Sequence, residues 1–360
     1  MQKCLYDSVF YGRMYPMEKI VETIPYERTK AYDHTAAYFP GKKVCMFDIE
    51  TTGLSPMNSF TYIIGVNIKV GDDWQIIQLF NDDGRSEPEM INAFFDIISD
   101  YDVLVEFNGD RFDIPYIEKR MNVITNKLHV RFENGFNKIT SFDLMKCIKP
   151  YKYALGLPNI KQKTIEKYLG IDRVDTFNGG QLIDVYLNFV TTGDKKSREL
   201  VLRHNRDDME GMLFLGAVQA IDMMKMGKVS IERFGVKEIA GKLFFVIDLK
   251  LESSLGRNIS TSSYGAALDA EEDYVCLKVP IYTGSLNYYL GTKEKDGVVK
   301  KEGYFVTALN NYDGSIALYK DTARAKSGYV MLDDTFLGNM ELILEYARHM
   351  IKEIMLYKGK

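Results

Sequence analysis

At 360 residues the chain is too long for one ordinary hydrophobic core, and its 46% apolar and 12% aromatic content exclude a disordered polymer. A net charge of −4 argues against holding nucleic acid by bulk electrostatics, and the whole deficit falls between residues 41 and 227. The start MQKCLYDSVFYGRMYPMEK lacks the features of a secretory leader. No apolar run approaches the roughly 20 residues that cross a bilayer, so the expectation is a cytoplasmic location with no membrane partner. Four scattered cysteines (Cys4, Cys45, Cys147, Cys276) without a CxxC pair read as reduced thiols rather than a disulfide framework or zinc site.

Residues 1–40, punctuated by Pro16, Pro25 and Pro40, show little periodicity and read as an arm packed on the first domain. Val44-Cys45-Met46-Phe47 is short and apolar enough for a buried strand. Asp48 and Glu50 follow, separated by Ile49. Positions two apart on a strand share a face, so both carboxylates project together while Ile49 enters the core. Paired acids repel unless a cation lies between them, and a divalent metal is the usual one. Thr51-Thr52-Gly53 then turns the chain. Tyr62–Val70 and Trp74–Phe80 flank Gly71-Asp72-Asp73 as a hairpin. Pro88 opens an amphipathic helix, and Val103-Leu104-Val105 returns as a buried strand ending near Asn108-Gly109. Residues 112–121 read as the start of a helix carrying Asp113, 138–147 as a strand with Asp143 near its end, and 157–169 as a helix closed by Gly170. A helix over 181–191 and one long helix over 197–226 complete an α/β layer architecture. Beyond Gly227 the runs LFFVIDLKL, DYVCLKVPIY, SLNYYLG, EGYFVTAL and SIALYK read as short strands, followed by an amphipathic helix over 338–357.

Acids therefore come from three segments: Asp48 and Glu50, then Asp113, then Asp207 or Asp208 in HNRDDMEGM. Oxygen ligands suit Mg²⁺ or Mn²⁺, and two such ions could clamp the attacking and leaving oxygens of a phosphodiester. The motifs DIETTG, NGDRFDIPYI and HNRDDMEGM, in that order, resemble those of the RNase H-like 3′–5′ exonuclease superfamily named for four acids (DEDD). The second motif is similar to that of family-B DNA polymerase exonuclease segments. The nearer likeness is to stand-alone YprB-type proteins, over roughly residues 43–225.

The resemblance implies an RNase H-like mixed sheet flanked by helices (41–227), while the residue pattern adds the arm before it (1–40) and a smaller, mainly β C-terminal domain ending in a helix after it (228–360). It implies a metal-dependent 3′–5′ exonuclease with two divalent ions, Mg²⁺ or Mn²⁺, acting on the 3′ end of DNA or RNA, with a helicase or polymerase partner left open. Asp48, Glu50, Asp113 and Asp208 would be ligands and His204 a candidate general base, its alternative role being to orient the site. The family's tyrosine branch places three residues between the Tyr and the last Asp, and its histidine branch four. His204 to Asp208 has three, and that i,i+4 spacing shares a helix face, which favours Asp208 over Asp207. Thr51, Thr52, Asn108 and Phe112 are candidate substrate contacts, with turn formation, strand-end capping and core packing as the plainer readings. Lys161 and Lys163 could reach a phosphate and Lys293, Lys295, Lys300 and Lys301 a nucleic-acid backbone, but a solvated helix face and a solvated loop are the plainer readings, and Asp143 reads as a structural or supporting acid. A non-catalytic nucleic-acid-binding module and a structure-specific endonuclease are the competing functions.

Overall fold

The computed structural model describes residues 17–171, 179–289, 297–308, 312–322, 324–325 and 327–358. Cys4, the first 16 residues of the expected arm, and Lys293 and Lys295 lie outside them. The chain divides into two compact units, 1–147 with 161–216, and 148–160 with 217–360.

The first unit is built on a six-stranded sheet of order β1-β4-β3-β2-β5-β6, with β1 Glu18–Ile24, β2 Val44–Thr51, β3 Thr61–Val70, β4 Asp73–Phe80, β5 Val103–Glu106 and β6 Thr140–Asp143. β1 to β4 pair antiparallel, whereas β2, β5 and β6 run parallel, so the sheet is mixed. Short helices α1 (Tyr26–Thr29) and α2 (Thr35–Tyr38) lead from the edge strand to β2. The arm expected over residues 1–40 thus contains a strand. β1 alone pairs over its full length with β4, and its mostly exposed side chains leave no alternation to read.

β2 lies inside the sheet, and its two faces divide the labour. Cys45, Phe47 and Ile49 join a core formed with α3 (Glu87–Ile98) and α4 (Asp113–Leu128), including Phe94, Tyr116 and Ile117. Alternation sends Met46, Asp48 and Glu50 to the other side. There α7 (Gly179–Thr192) and α8 (Lys195–Phe214) cover the sheet, with Tyr186 stacked on Tyr62 at 4.2 Å.

Three expected elements differ in extent. The strand expected over 138–147 is only β6, because Asp143 accepts the N–H groups of Met145 and Lys146 and starts α5 (Leu144–Ile148). The helix expected over 157–169 is α6, Gln162–Tyr168. The long helix over 197–226 is two, α8 and α9 (Ala217–Lys225). A Cβ at Gly216, between them, would lie 2.2 Å from the carbonyl oxygen of Tyr32, so a backbone far away in sequence requires glycine at the break.

The second unit carries a seven-stranded antiparallel sheet: β7 Val229–Ile239, β8 Lys242–Leu251, β9 Ile259–Ser263, β10 Ala266–Glu271, β11 Tyr274–Tyr289, β12 Val298–Thr307 and β13 Tyr329–Met331. DYVCLKVPIY and SLNYY form one long strand, β11. SIALYK instead contributes isolated bridges at Tyr319 and Lys320. After α10 (Asp334–Leu337), the amphipathic α11 (Met340–Met355) is capped by Asn339 and buries Ile343, Tyr346, Met350 and Ile354. Among the described residues no helix is long and apolar enough to cross a membrane, and none of Cys45, Cys147 and Cys276 is in a disulfide.

Candidate metal centre

The site lies where β2 ends. Asp48 is paired with Gly65 and Glu50 with Ile63 in the β2–β3 ladder, and a register shift between Glu50 and Thr51 releases the chain into its turn. α8 lies directly over these positions. A Cβ on Gly65 would sit 2.6 Å from Met209 Cγ and 2.7 Å from Asn205 Oδ1, so only glycine lets the helix approach this closely. Buried amides then fix the helix on the sheet. Asn67 Nδ2 donates to the Met209 carbonyl (2.7 Å), and Gln78 Nε2 to the Leu202 carbonyl (2.8 Å) and to Asn205 Oδ1 (3.0 Å). Asn205 in turn donates through Nδ2 to Asp48 Oδ2 at 3.3 Å.

This docking brings His204 and Asp208 onto the acids. His204 Nε2 lies 3.3 Å from Asp208 Oδ2 and 3.7 Å from Glu50 Oε1. Glu50, His204 and Asp208 each offer a ligand atom within 4.8 Å of the others, a separation that one divalent ion can span. Glu50 and His204 are buried and Asp208 is partly so. Asp207 turns away to Arg206, 3.3 Å distant, which also meets Glu22 and Glu210. The Asp208 carbonyl accepts from Gln162 of α6 at 2.9 Å.

Asp113 opens α4, and its Oδ1 accepts the N–H of Ile49, between the two strand acids, at 3.3 Å. Burial pushes its carboxyl up to about 7. A buried carboxyl whose partner N–H lies between the two strand acids is one a bound cation would relieve, and carboxylate oxygens suit a hard divalent ion, with the imidazole beside them. The residues therefore fit the metal chemistry that the sequence resemblance implies.

The expected substrate contacts divide. Thr51 is half-buried and donates to the Gly53 carbonyl. Thr52 is committed to the turn: its N–H and hydroxyl donate to the Phe60 carbonyl, and its hydroxyl also accepts the Phe60 N–H. Asn108 sits at φ 67, its N–H given to Asp143. Phe112 is partly buried on the core and tilts against Tyr116 at 5.4 Å.

The turn after β2 is fastened from behind by groups that sequence reasoning passed over. Ser59 Oγ bonds Tyr116 Oη at 2.7 Å and reaches the Gly53 and Ser55 carbonyls. The buried pair Arg120–Glu87 (2.6 Å) binds the Pro56 carbonyl in the middle of the loop and the Thr61 N–H where β3 begins.

A family model described as RNase_H superfamily matches residues 45–218. That region has an RNase H-like fold. Its relatives include a DNA polymerase of Archaeoglobus fulgidus, 31% identical over 54% of this chain and 24% of that protein. The uncharacterized protein YprB of Bacillus subtilis is 26% identical over 56% of this chain and 48% of its own length. The family B DNA polymerase structure from Pyrobaculum calidifontis aligns with 14% identity and a TM-score of 0.40, covering 88% of this chain and 46% of that one. The chain thus spans less than half the length of each of these three proteins. Within the RNase H-like unit, the acids at the end of β2 and the α8 pair His204–Asp208 lie inside the matched span.

Proposed function

We propose that the RNase H-like unit is a metal-dependent 3′–5′ exonuclease that hydrolyses phosphodiester bonds of nucleic acid. The supporting observation is the meeting of Glu50, His204 and Asp208 from β2 and α8, with Asp48 on the same strand end and Asp113 of α4 bonded to the Ile49 N–H between the strand acids. Glu50, Asp208, Asp48 and Asp113 would hold two divalent ions, Mg²⁺ or Mn²⁺. When bound, the ions supply Lewis acidity at the scissile phosphate and neutralise the carboxylates.

The chain's own groups do the rest. Asn205 orients Asp48 through its hydrogen bond, and Gly65 lets α8 come close enough for that contact. His204 Nε2, held beside Asp208 and Glu50, accepts the proton of the attacking water and passes it to solvent. Thr51 contacts the terminal nucleotide, Asn108 its sugar or phosphate, and Phe112 stacks on its base, while Thr52 shapes the turn that presents them.

The test uses 5′-labelled single strands, duplexes and a closed circle, incubated with Mg²⁺ or Mn²⁺. A ladder of 5′-labelled strands shortened from the 3′ end, with the circle intact, is the expected result. Cut circles would replace the reading with an endonuclease, and retention without cleavage with a binding module.

A further inference from the structure

A second carboxyl group cluster lies behind the turn that leads into α4. Glu106 ends β5, Asp143 ends β6 beside it in register, and Asp110 lies in the turn, each with an oxygen within 4.8 Å of the others. Glu106 is fully buried, as is the Asp143 side chain. Asp143 Oδ1 collects three backbone N–H groups, from Asn108 (3.0 Å), Met145 (2.8 Å) and Lys146 (3.2 Å). Its other oxygen, Oδ2, is buried without a hydrogen-bond donor. The Lys146 ammonium comes no nearer than 3.9 Å, is half exposed, and is hydrogen-bonded to Asp110 instead.

A buried carboxylate oxygen demands a donor. The neighbouring group that can supply one is Glu106, provided it keeps its proton. We propose that Glu106 and Asp143 form a proton-sharing pair that sets the Asn108–Gly109 turn and, through it, positions Asp113. The connection is short. Asp143 holds Asn108 in its left-handed conformation, and Glu106 accepts the Gly109 N–H. Gly109 has no room for a Cβ, which would meet Glu106 Cγ at 2.8 Å. The carbonyls of Asn108 and Gly109 then accept the N–H groups of Phe112 (3.2 Å) and Ile114 (3.0 Å), the residues on either side of Asp113.

Burial first, and the charge of Asp143 second, push the Glu106 carboxyl up to about 8 from its ordinary 4.5. The folded protein therefore binds a proton that the unfolded chain releases between these values. The stabilisation is complete below 4.5 and is lost as pH rises through about 8. The charged groups facing Glu106 are Asp143 and Asp110, with Lys146 beside them. Asp113, which senses Asp143, titrates in the same direction, so a variant of Glu106 alone is needed to isolate the pair.

Glu106→Gln is that variant, because its carbonyl can still accept from Gly109 while its amide donates to Asp143 without ionising. Unfolding midpoints of the full chain in EDTA are compared from about pH 5 to about pH 9. The wild type loses stability as pH rises, and Glu106→Gln shows a shallower fall. Equal slopes would overturn the pair. So would Ca²⁺ raising the midpoint of an Asp48→Ala/Asp208→Asn protein but not of the same protein with Glu106→Gln added, because a cation would then take the proton's place. The positioning role rests on the exonuclease reading and has its own readout. Glu106→Leu lowers kcat by about ten- to a hundredfold with KM little changed, and Glu106→Gln restores it. A KM effect alone, or no rescue, would overturn it. If no protein turns over substrate, the exonuclease reading fails while the stability comparison still stands.

Discussion

The RNase H-like unit holds two carboxyl clusters of similar size that are wired in opposite ways. Around Glu50, Asp208 and Asp48 the contacts include an imidazole at 3.3 and 3.7 Å and the Asn205 amide. Around Asp143 and Glu106 four come from backbone N–H groups, with the Ser141 hydroxyl and the Lys146 ammonium on Asp110. Backbone N–H groups pointed into a carboxylate use its lone pairs to hold the chain in place. Side chains that converge from β2 and α8 bring acidic oxygens and an imidazole to one point, where a cation could be gathered. The contrast separates acids that build a turn from acids that meet an imidazole across two elements, with Asp113 between them because its Oδ1 also accepts the Ile49 N–H.

The largest effect expected from breaking this contrast is at Asp48. Asp48→Ala should lower nucleotide release by about a thousandfold or more with the circular dichroism spectrum unchanged. Asp208→Asn should act similarly, because Asp208 faces Glu50 and His204. Next comes the support behind the turn. Arg120→Met leaves Glu87 buried and uncompensated, at a cost of about 3–5 kcal/mol, read as a lower denaturant midpoint. Gly65→Ala presses a methyl into Met209 and Asn205, and overpacking of this kind costs about 1–3 kcal/mol. It should also reduce activity, because the strained contact is the one that orients Asp48. The smallest effect is at Asp207. Removing its partly exposed ion pair with Arg206 should change stability by less than about 1 kcal/mol and leave activity near wild type. Equal losses from Asp207→Asn and Asp208→Asn would break the assignment of the α8 acid.

Much of this arrangement was legible along the chain because it is local. VCMFDIETTG shows an apolar strand meeting two acids, and His204 and Asp208 share a face by helical spacing alone. The hairpin of β3 and β4 is announced by its turn. What was hidden is held by partners far away in sequence. Gly65 looks like a weak point in a strand until α8 is laid on it. Asn67 and Gln78 look like solvent-facing residues until their amides find carbonyls 142 and 124 residues on. Gly216 reads as a tolerated helix glycine until the Tyr32 carbonyl is placed against it. β1 gave no period-two signal because, as an edge strand, it buries little of either face. Glu106 and Asp143 could be seen as acids near strand ends, but nothing local distinguishes a backbone-bound carboxyl from a ligand.

Metal binding tests the contrast most directly. Mn²⁺ is titrated calorimetrically into wild type, a Glu50→Gln/Asp208→Asn variant and Glu106→Gln, each shown folded by its unfolding transition. Binding in wild type and Glu106→Gln, and its loss in Glu50→Gln/Asp208→Asn, is the result this account predicts. Binding that survives in Glu50→Gln/Asp208→Asn and disappears in Glu106→Gln would contradict it.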